Sequence, residues 1–376
     1  MIKEAITKAV KGENLGELLT MGAMEEIMTG VATPAQIGAF LAAMRIKGES
    51  VEELTGAARI MRAKSVKLNL NNGMVTLDRD EINVDRETVL DTCGTGGDGT
   101  RTFNISTTSA FVVAGEGVKV AKHGKRAVSS QCGSADVLEA LGVNLDVSTT
   151  DVERSIATIG IGFLYAPLFQ GAMRHAAGAR REIGVRTLLN LLGPLTNPAG
   201  ASVQVLGVYE PVLTEKVAEV LRNLGSREAF VVCGEGTFDE ISICGPTIMS
   251  HLKNGRISTT TMIPGDFGMK SYSPEEIRGG SARRNAEIVR EVLGGRKGAK
   301  RDIVLLNAGA AFVAAGRTGD FREGMELAAQ SIDSGRAAGK LDELIAFTQR
   351  CRPFVMDSAD AMGAALYKSE ARNMKS

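Results

Sequence analysis

The sequence predicts an α/β protein: a small N-terminal helical domain plus a large domain whose mostly parallel central sheet is flanked by helices. Three observations carry that prediction. Residues 1–64 hold helix signals only, including two capping boxes. From residue 88 short β runs alternate with helical stretches, and no repeat with a period of about 20–50 residues is visible. Hydrophobic residues make up 44% of the 376 positions, enough for a sizeable core, and 44 glycines imply many tight turns and close backbone approaches.

Within the helical part, Thr33-Pro34-Ala35-Gln36 is a capping box with proline at the first helical position. It launches a helix whose Ile37, Phe40, Leu41 and Met44 mark one buried face. Ser50-Val51-Glu52-Glu53 opens the next helix, through Leu54, Ala57 and Ile60. Four such short helices cannot bury their apolar faces alone. Alternation around Asn72-Gly73 signals a hairpin, and the charged run after it reads as a solvated connector. The expected divisions are therefore 1–66 helical, 67–87 hairpin and connector, and 88–376 α/β.

In the α/β part, strands are expected at 88–92, 117–121, 203–209, 228–233 and 302–308. Helices are expected around SAFVVA and at 134–142. Residues 175–192 read as one helix that the prolines of GPLTNP stop.

Charge and cysteine usage exclude several function classes. Lys+Arg and Asp+Glu number 44 each, so no basic excess marks a nucleic-acid surface, and with no Trp and 4 Tyr there are few platforms for base stacking. The N-terminal stretch lacks a signal-peptide pattern, and no run nears the ~20 apolar residues that span a bilayer. Cys93, Cys132, Cys233, Cys244 and Cys351 are scattered without a CxxC pair, as expected of reduced thiols in a cytoplasmic protein. The three histidines lie far apart, which argues against a zinc site and leaves a hard cation on oxygen ligands.

Four segments carry candidate chemistry. Asp91-Thr92-Cys93-Gly94-Thr95-Gly96-Gly97-Asp98-Gly99 follows a strand and precedes a helix starting near Asn104, Ser106 and Thr107. Backbone N–H groups of such a turn cradle anions, and the three side chains add donors. The literal Gly94-x-Gly96-x-x-Gly99 match to a dinucleotide fingerprint fails, because Lys122 rather than an acid follows the next strand. Lys122-His123-Gly124-Lys125-Arg126, with Ser129 and Ser130, forms a second anion-binding loop after that strand, with four potentially cationic side chains. Asp239-Glu240, flanked by turn glycines, suits Mg²⁺. Arg174, Arg180, Arg181 and Arg186 precede Asn190 and the GPLTNP stretch, and one of these arginines could grip a planar carboxylate.

Taken together, GTGGD, N-I-S-T, K-H-G-x-R-x-x-S-S, the Asp-Glu pair and R-T-L-x-N-L-L-G-P-L-T-N-P resemble the anthranilate phosphoribosyltransferases of tryptophan biosynthesis. The resemblance reaches from the N-terminal helices to Gly319-Asp320-Phe321-Arg322-Glu323-Gly324. It implies a homodimer that takes phosphoribosyl pyrophosphate (PRPP), with two Mg²⁺ ions, and anthranilate, with part of 175–200 joining the helical domain. It places PRPP on Gly94, Thr95, Gly96, Gly97, Asp98, Thr102, Asn104, Ser106, Thr107, Lys122 and Ser134. It places the metal on Ser106, Asp239 and Glu240, and the acceptor on Gly94, His123, Lys125, Gln170 and Arg180. Two positions depart from the family pattern: Lys125 stands where the family has Asn, and Gln170 where it usually has His. They leave open a PRPP-dependent enzyme for another aromatic acceptor; a separate alternative, from a different class, is a nucleic-acid-binding relative without this activity.

Overall fold

The computed structural model describes residues 1–70, 88–96, 99–127 and 131–352. The chain opens with four helices, α1 (Ile2–Val10), α2 (Gly16–Met28), α3 (Pro34–Lys47) and α4 (Val51–Lys64). Both expected capping boxes form: Thr33 and Gln36 exchange side-chain-to-backbone bonds at α3, as do Ser50 and Glu53 at α4. The hairpin expected at Asn72-Gly73 and the connector lie outside the described residues.

The α/β part follows as β1 (Val89–Gly94), α5 (Ile105–Gly115), β2 (Lys119–Gly124), α6 (Ser134–Leu141), α7 (Thr149–Ile159) and β3 (Ile161–Tyr165). Next come α8 (Ala166–Phe169), α9 (Arg174–Ile183), α10 (Leu188–Leu195), β4 (Val203–Gly207), α11 (Leu213–Asn223) and β5 (Glu228–Gly234). The chain continues with β6 (Thr247–Lys253), β7 (Arg256–Met262), α12 (Ala282–Leu293), α13 (Ala299–Ala314), α14 (Phe321–Asp333) and α15 (Arg336–Arg350). The strands make one sheet in the order β3-β2-β1-β4-β5-β6-β7. Its first five strands are parallel, and β6 and β7 are added antiparallel.

Alternate residues of each strand face opposite sides of the sheet. Phe230 and Val232 of β5 join the core built with α5 and α12 to α15, while Ala229, Val231 and Cys233 join the core shared with the N-terminal helices, α10 and α11. The N-terminal bundle thus buries its apolar face against one side of the sheet. Arg62 of α4 fastens it there, donating to the carbonyls of Leu195 and Leu224 at the ends of α10 and α11.

The structure corrects four expectations. Residues 302–308 are helical, inside α13. Ile303, Val304, Leu306, Asn307 and Ala308 are all buried, and a helix covered all round shows no amphipathic period to separate it from a strand. Residues 175–192 are not one helix: Gly184, at φ +67°, ends α9, and α10 then runs past residue 192 with Pro194 inside it. β2 does not stop at Ala121, because its ladder with β3 continues to Gly124↔Tyr165. Finally, β3, β6 and β7 were not anticipated. The Asn-Gly signal used at 72–73 also marks the β6–β7 hairpin at Asn254-Gly255, where both residues have positive φ.

Candidate active site at the carboxyl ends of the strands

The sheet reverses its winding between β1 and β4, where open α/β sheets bind ligands beyond the strand ends. β1 ends at Gly94 and β4 at Gly207, side by side in register. The segment carrying Asp239 crosses both ends so closely that a Cβ on Gly94 would strike the Asp239 carboxylate, and one on Gly207 its backbone carbonyl. Asp239 then accepts a hydrogen bond from Gly96 N–H at 2.8 Å, and Glu240 accepts one from Ser106 N–H at 3.1 Å at the start of α5. The acidic pair, the glycine loop and the helix N-terminus therefore form one cluster. Among the described residues no group of three or more His, Cys, Asp or Glu side chains could hold a metal ion. The two carboxylates with the Ser106 hydroxyl are a hard oxygen set, which fits an ion that keeps several waters.

Lys122 lies at the centre of this cluster, with 4% of its surface exposed. Its ammonium donates to the Thr92 carbonyl at 2.6 Å and to Ser106 Oγ at 3.4 Å. Burial pulls its pKa down, opposed by the carboxylates of Asp91, Glu240 and Asp239. Among the described residues, Thr95 Oγ1 in the glycine loop and Thr107 Oγ1 next to Ser106 on α5 are buried without a partner, donors that an anionic ligand would engage. Asn104 does not cap α5; its side chain instead meets Asn285 Nδ2 at 3.0 Å and the Cys132 carbonyl at 3.3 Å. Thr102 makes an antiparallel bridge with Arg278, and Ser134 starts α6 with its hydroxyl against Gly124. Gly97, Asp98, Ser129 and Ser130 lie outside the described residues.

On the other side of Lys122, the second motif divides. Lys122, His123 and Gly124 belong to β2, and the loop begins at Lys125. Of the four potentially cationic side chains, Arg126 turns away to make a two-pronged pair with Glu139, at 2.7 and 2.9 Å. His123 is buried, which pushes its pKa down to about 4; the ring is neutral, and among the described residues its Nε2 has no partner. Two cations remain, Lys122 and Lys125. Lys125 is half-buried, and loss of water together with the nearby Arg180 charge pushes its pKa down to about 8. Arg180 reaches this region from the last turn of α9. Gln170 donates to Thr196 Oγ1 at 2.9 Å, just after α10, whose Gly193 meets the His123 ring.

Comparison with known proteins agrees with this geometry. The family model for the helical bundle domain of a glycosyl transferase family matches residues 3–65, and that for the family's a/b domain matches residues 86–338. Anthranilate phosphoribosyltransferase of Geobacter sp. strain M21 is 56% identical over 93% of this chain and 99% of its own. The chain belongs to the anthranilate phosphoribosyltransferase family. Among solved structures, the enzyme of Thermus thermophilus has a TM-score of 0.83 at 41% identity, covering 92% of this chain and 99% of that one. The Saccharomyces cerevisiae enzyme in complex with PRPP and Mg has a TM-score of 0.82 at 27% identity, covering 93% and 98%.

In this family member three further residues hold the cluster: Asp91 and Asn197, which lie in two of the motifs but had no role there, and Asn307, which lies outside them. Asp91, fully buried on β1, accepts from His123 N–H at 3.2 Å and from Asn197 Nδ2 at 2.8 Å. Asn307 of α13 donates to the Ile241 carbonyl and accepts from its N–H, both at 3.0 Å, pinning the segment just after Glu240. The signal for Asn307 was present: a lone amide inside the apolar run IVLLNAGAAF has to find partners when buried.

Proposed function

We infer that the protein transfers the 5-phosphoribosyl group of PRPP to the amine of anthranilate, giving N-(5-phosphoribosyl)anthranilate and pyrophosphate, a step of tryptophan biosynthesis. The observation that carries this reading is the convergence of Lys122, Ser106 and the Asp239–Glu240 pair on the glycine loop. The yeast relatives bound to PRPP and Mg, and to 4-fluoroanthranilate, support the two substrates.

In this reading the bond from ribose C1 to pyrophosphate oxygen breaks as a C1–N bond forms, with oxocarbenium character between. The protein supplies no covalent nucleophile. Lys122, the Thr95 and Thr107 hydroxyls and the backbone of the Gly94–Asp98 loop hold the departing pyrophosphate, with Thr102, Asn104 and Ser134 around the rest of PRPP. Preorganised charge and positioning then lower the barrier. Asp239, Glu240 and Ser106 would hold the Mg²⁺, two ions in our reading, whose contribution when bound is to neutralise the leaving group's charge. Arg180 and Lys125 attract the anthranilate carboxylate, and neutral His123 offers Nε2 to the acceptor, with Gly94 and Gln170 lining the same side. An arylamine sheds its proton readily once the C–N bond forms, so no strong base is required.

We divide the chain into a helical domain, 1–66 with part of 175–200, a connector at 67–87, and an α/β domain at 88–376. The core shared by α9, α10 and the N-terminal helices supports that division. Homodimer formation through the bundle is supported by Val10, Leu18, Val31 and Ile46, each 70–87% exposed. Zero net charge supports small-molecule rather than nucleic-acid partners. Among the described residues no helix is long and apolar enough to cross a membrane. We place the protein in the cytoplasm on its five free, scattered cysteines.

The test is direct: incubate the protein with PRPP, Mg²⁺ and anthranilate, and follow the loss of anthranilate fluorescence. Loss that requires all three components is the expected result. Unchanged fluorescence while PRPP still binds would reject anthranilate as the acceptor. Sedimentation at micromolar concentration tests the dimer, and a species of monomer mass alone would reject it.

A further inference from the structure

The β1–β2 ladder is short. Its register ends at Leu90↔Val120, whereas β1 stays paired with β4 to Gly94↔Gly207 and β2 with β3 to Gly124↔Tyr165. Beyond residue 120, the β2 backbone groups on the edge toward β1 are those of Ala121 and His123, because neighbouring residues direct theirs to opposite edges. Those groups are not left open. Asn197 Nδ2 donates to the Ala121 carbonyl at 2.8 Å, and the Asp91 carboxylate accepts from His123 N–H at 3.2 Å. The two side chains also join each other at 2.8 Å, and Asn197 Oδ1 accepts from Ala199 N–H at 2.9 Å. The peptide groups immediately before and after Lys122 are thereby clamped from one point.

We propose that Asp91 and Asn197 are positioning residues, a side-chain bridge that replaces the missing β1–β2 ladder and sets Lys122 and His123 between the two substrate sites. A carboxylate fully buried on a strand is costly to keep, and a merely structural strand could carry a valine there. Asn197 also ends the stretch whose Gly193 meets the His123 ring, whose Thr196 holds Gln170 and whose Leu195 carbonyl holds Arg62 of α4. The bridge therefore links donor strand, acceptor side and helical bundle through one short segment.

This inference rests on the PRPP and anthranilate reading above, and the experiment separates the two. Asp91→Asn, Asn197→Ala and the exchanged pair Asp91→Asn with Asn197→Asp are made in the full chain. For each, kcat, both KM values, the thermal midpoint and PRPP affinity by calorimetry with Mg²⁺ but no acceptor are measured. Asp91→Asn sets an amide against the Asn197 amide, and kcat should fall about 10- to 100-fold, the range of one hydrogen bond to a charged group. PRPP affinity should fall with it, at temperatures well below the midpoint. Exchanging the pair restores the amide–carboxylate contact but turns a carboxylate oxygen onto the Ala121 carbonyl, so kcat and PRPP affinity should stay low. Should Asp91→Asn fail to fold, Asn197→Ala leaves every charge in place and carries the test. A variant that keeps kcat and PRPP affinity within about twofold of wild type, whatever its midpoint, overturns the proposal. If wild type binds PRPP but leaves anthranilate unconsumed, the acceptor reading fails, and the PRPP affinities still decide the bridge.

Discussion

The glycine-loop side of the site and the Lys125–Arg180 side are built on different plans. On the first, ligand groups come from short contiguous segments at adjacent strand ends, and backbone atoms do much of the holding: Gly96 N–H and Ser106 N–H fix the two carboxylates. On the second, His123, Lys125, Gln170 and Arg180 arrive from β2, its loop, the stretch after α8 and α9, and the groups offered to a ligand are side chains. A backbone cradle constrains sequence tightly, because glycine is required wherever chain meets chain, as at Gly94 and Gly207. A side-chain pocket tolerates exchange, since one hydrogen-bonding group can replace another without moving the chain. The two departures from the family pattern, Lys125 and Gln170, both fall on the tolerant side.

The comparison breaks most sharply at the acids. Asp239→Asn with Glu240→Gln keeps oxygen acceptors for Gly96 and Ser106 but removes both charges, so the fold should survive. Mg²⁺-dependent turnover should fall by about 10³-fold or more, on the scale of several kcal/mol of charge stabilisation. Single-turnover kinetics with a thermal melt check this; ordinary turnover would remove the pair from the site. Next in size is Arg180→Ala, which should raise the anthranilate KM by about 10- to 100-fold through loss of a carboxylate fork, with PRPP affinity unchanged. A fall in PRPP affinity instead would place Arg180 on the other side.

What the sequence made legible follows the same division. Capping boxes and the GTGGD and Asp-Glu motifs are local, so the bundle, the sheet-end loop and the acidic pair could be read from them. Features that depend on distant partners could not. Asp91 and Asn197 are 106 residues apart, and neither motif announces the other. Arg126 looked available until Glu139, 13 residues on, took it. α13 was misread because its burial on every side erased the periodicity that identifies a helix.

A smaller effect sharpens the account of the loop. Gly96 has φ +68°, with nothing near enough to meet an added Cβ. In Gly96→Ala the penalty is therefore backbone strain rather than a clash, about 1–2 kcal/mol. If the loop must hold this conformation to bind PRPP, affinity should fall about 5- to 30-fold, measured by calorimetry. Unchanged affinity would show that the turn relaxes without cost to the ligand.

The smallest expected effect concerns Lys125, where the tolerant side is most open to change. With burial and Arg180 setting its pKa to about 8, the ammonium is charged at neutral pH and discharges as pH rises through that value. Because the lowered pKa belongs to the free protein, the effect should appear in kcat/KM for anthranilate. That ratio should decline on the alkaline side of pH 8, while Arg180 keeps its charge and sustains binding. His123, neutral above about pH 4, adds no step in this window. Lys125→Asn should lower kcat/KM only a few-fold at pH 7, roughly the worth of one partly screened charge, and should flatten the alkaline decline. The opposite result is equally readable. If Lys125 and Gln170 re-specify the pocket for another aromatic acceptor, wild type should be nearly inactive with anthranilate, and Lys125→Asn with Gln170→His should create that activity. Comparing kcat/KM of wild type and the double variant across pH 6 to 10, about two units either side of the Lys125 transition, separates the two. A large gain from a near-inactive wild type would mean that the side-chain half of the site has changed its substrate while the backbone half kept PRPP.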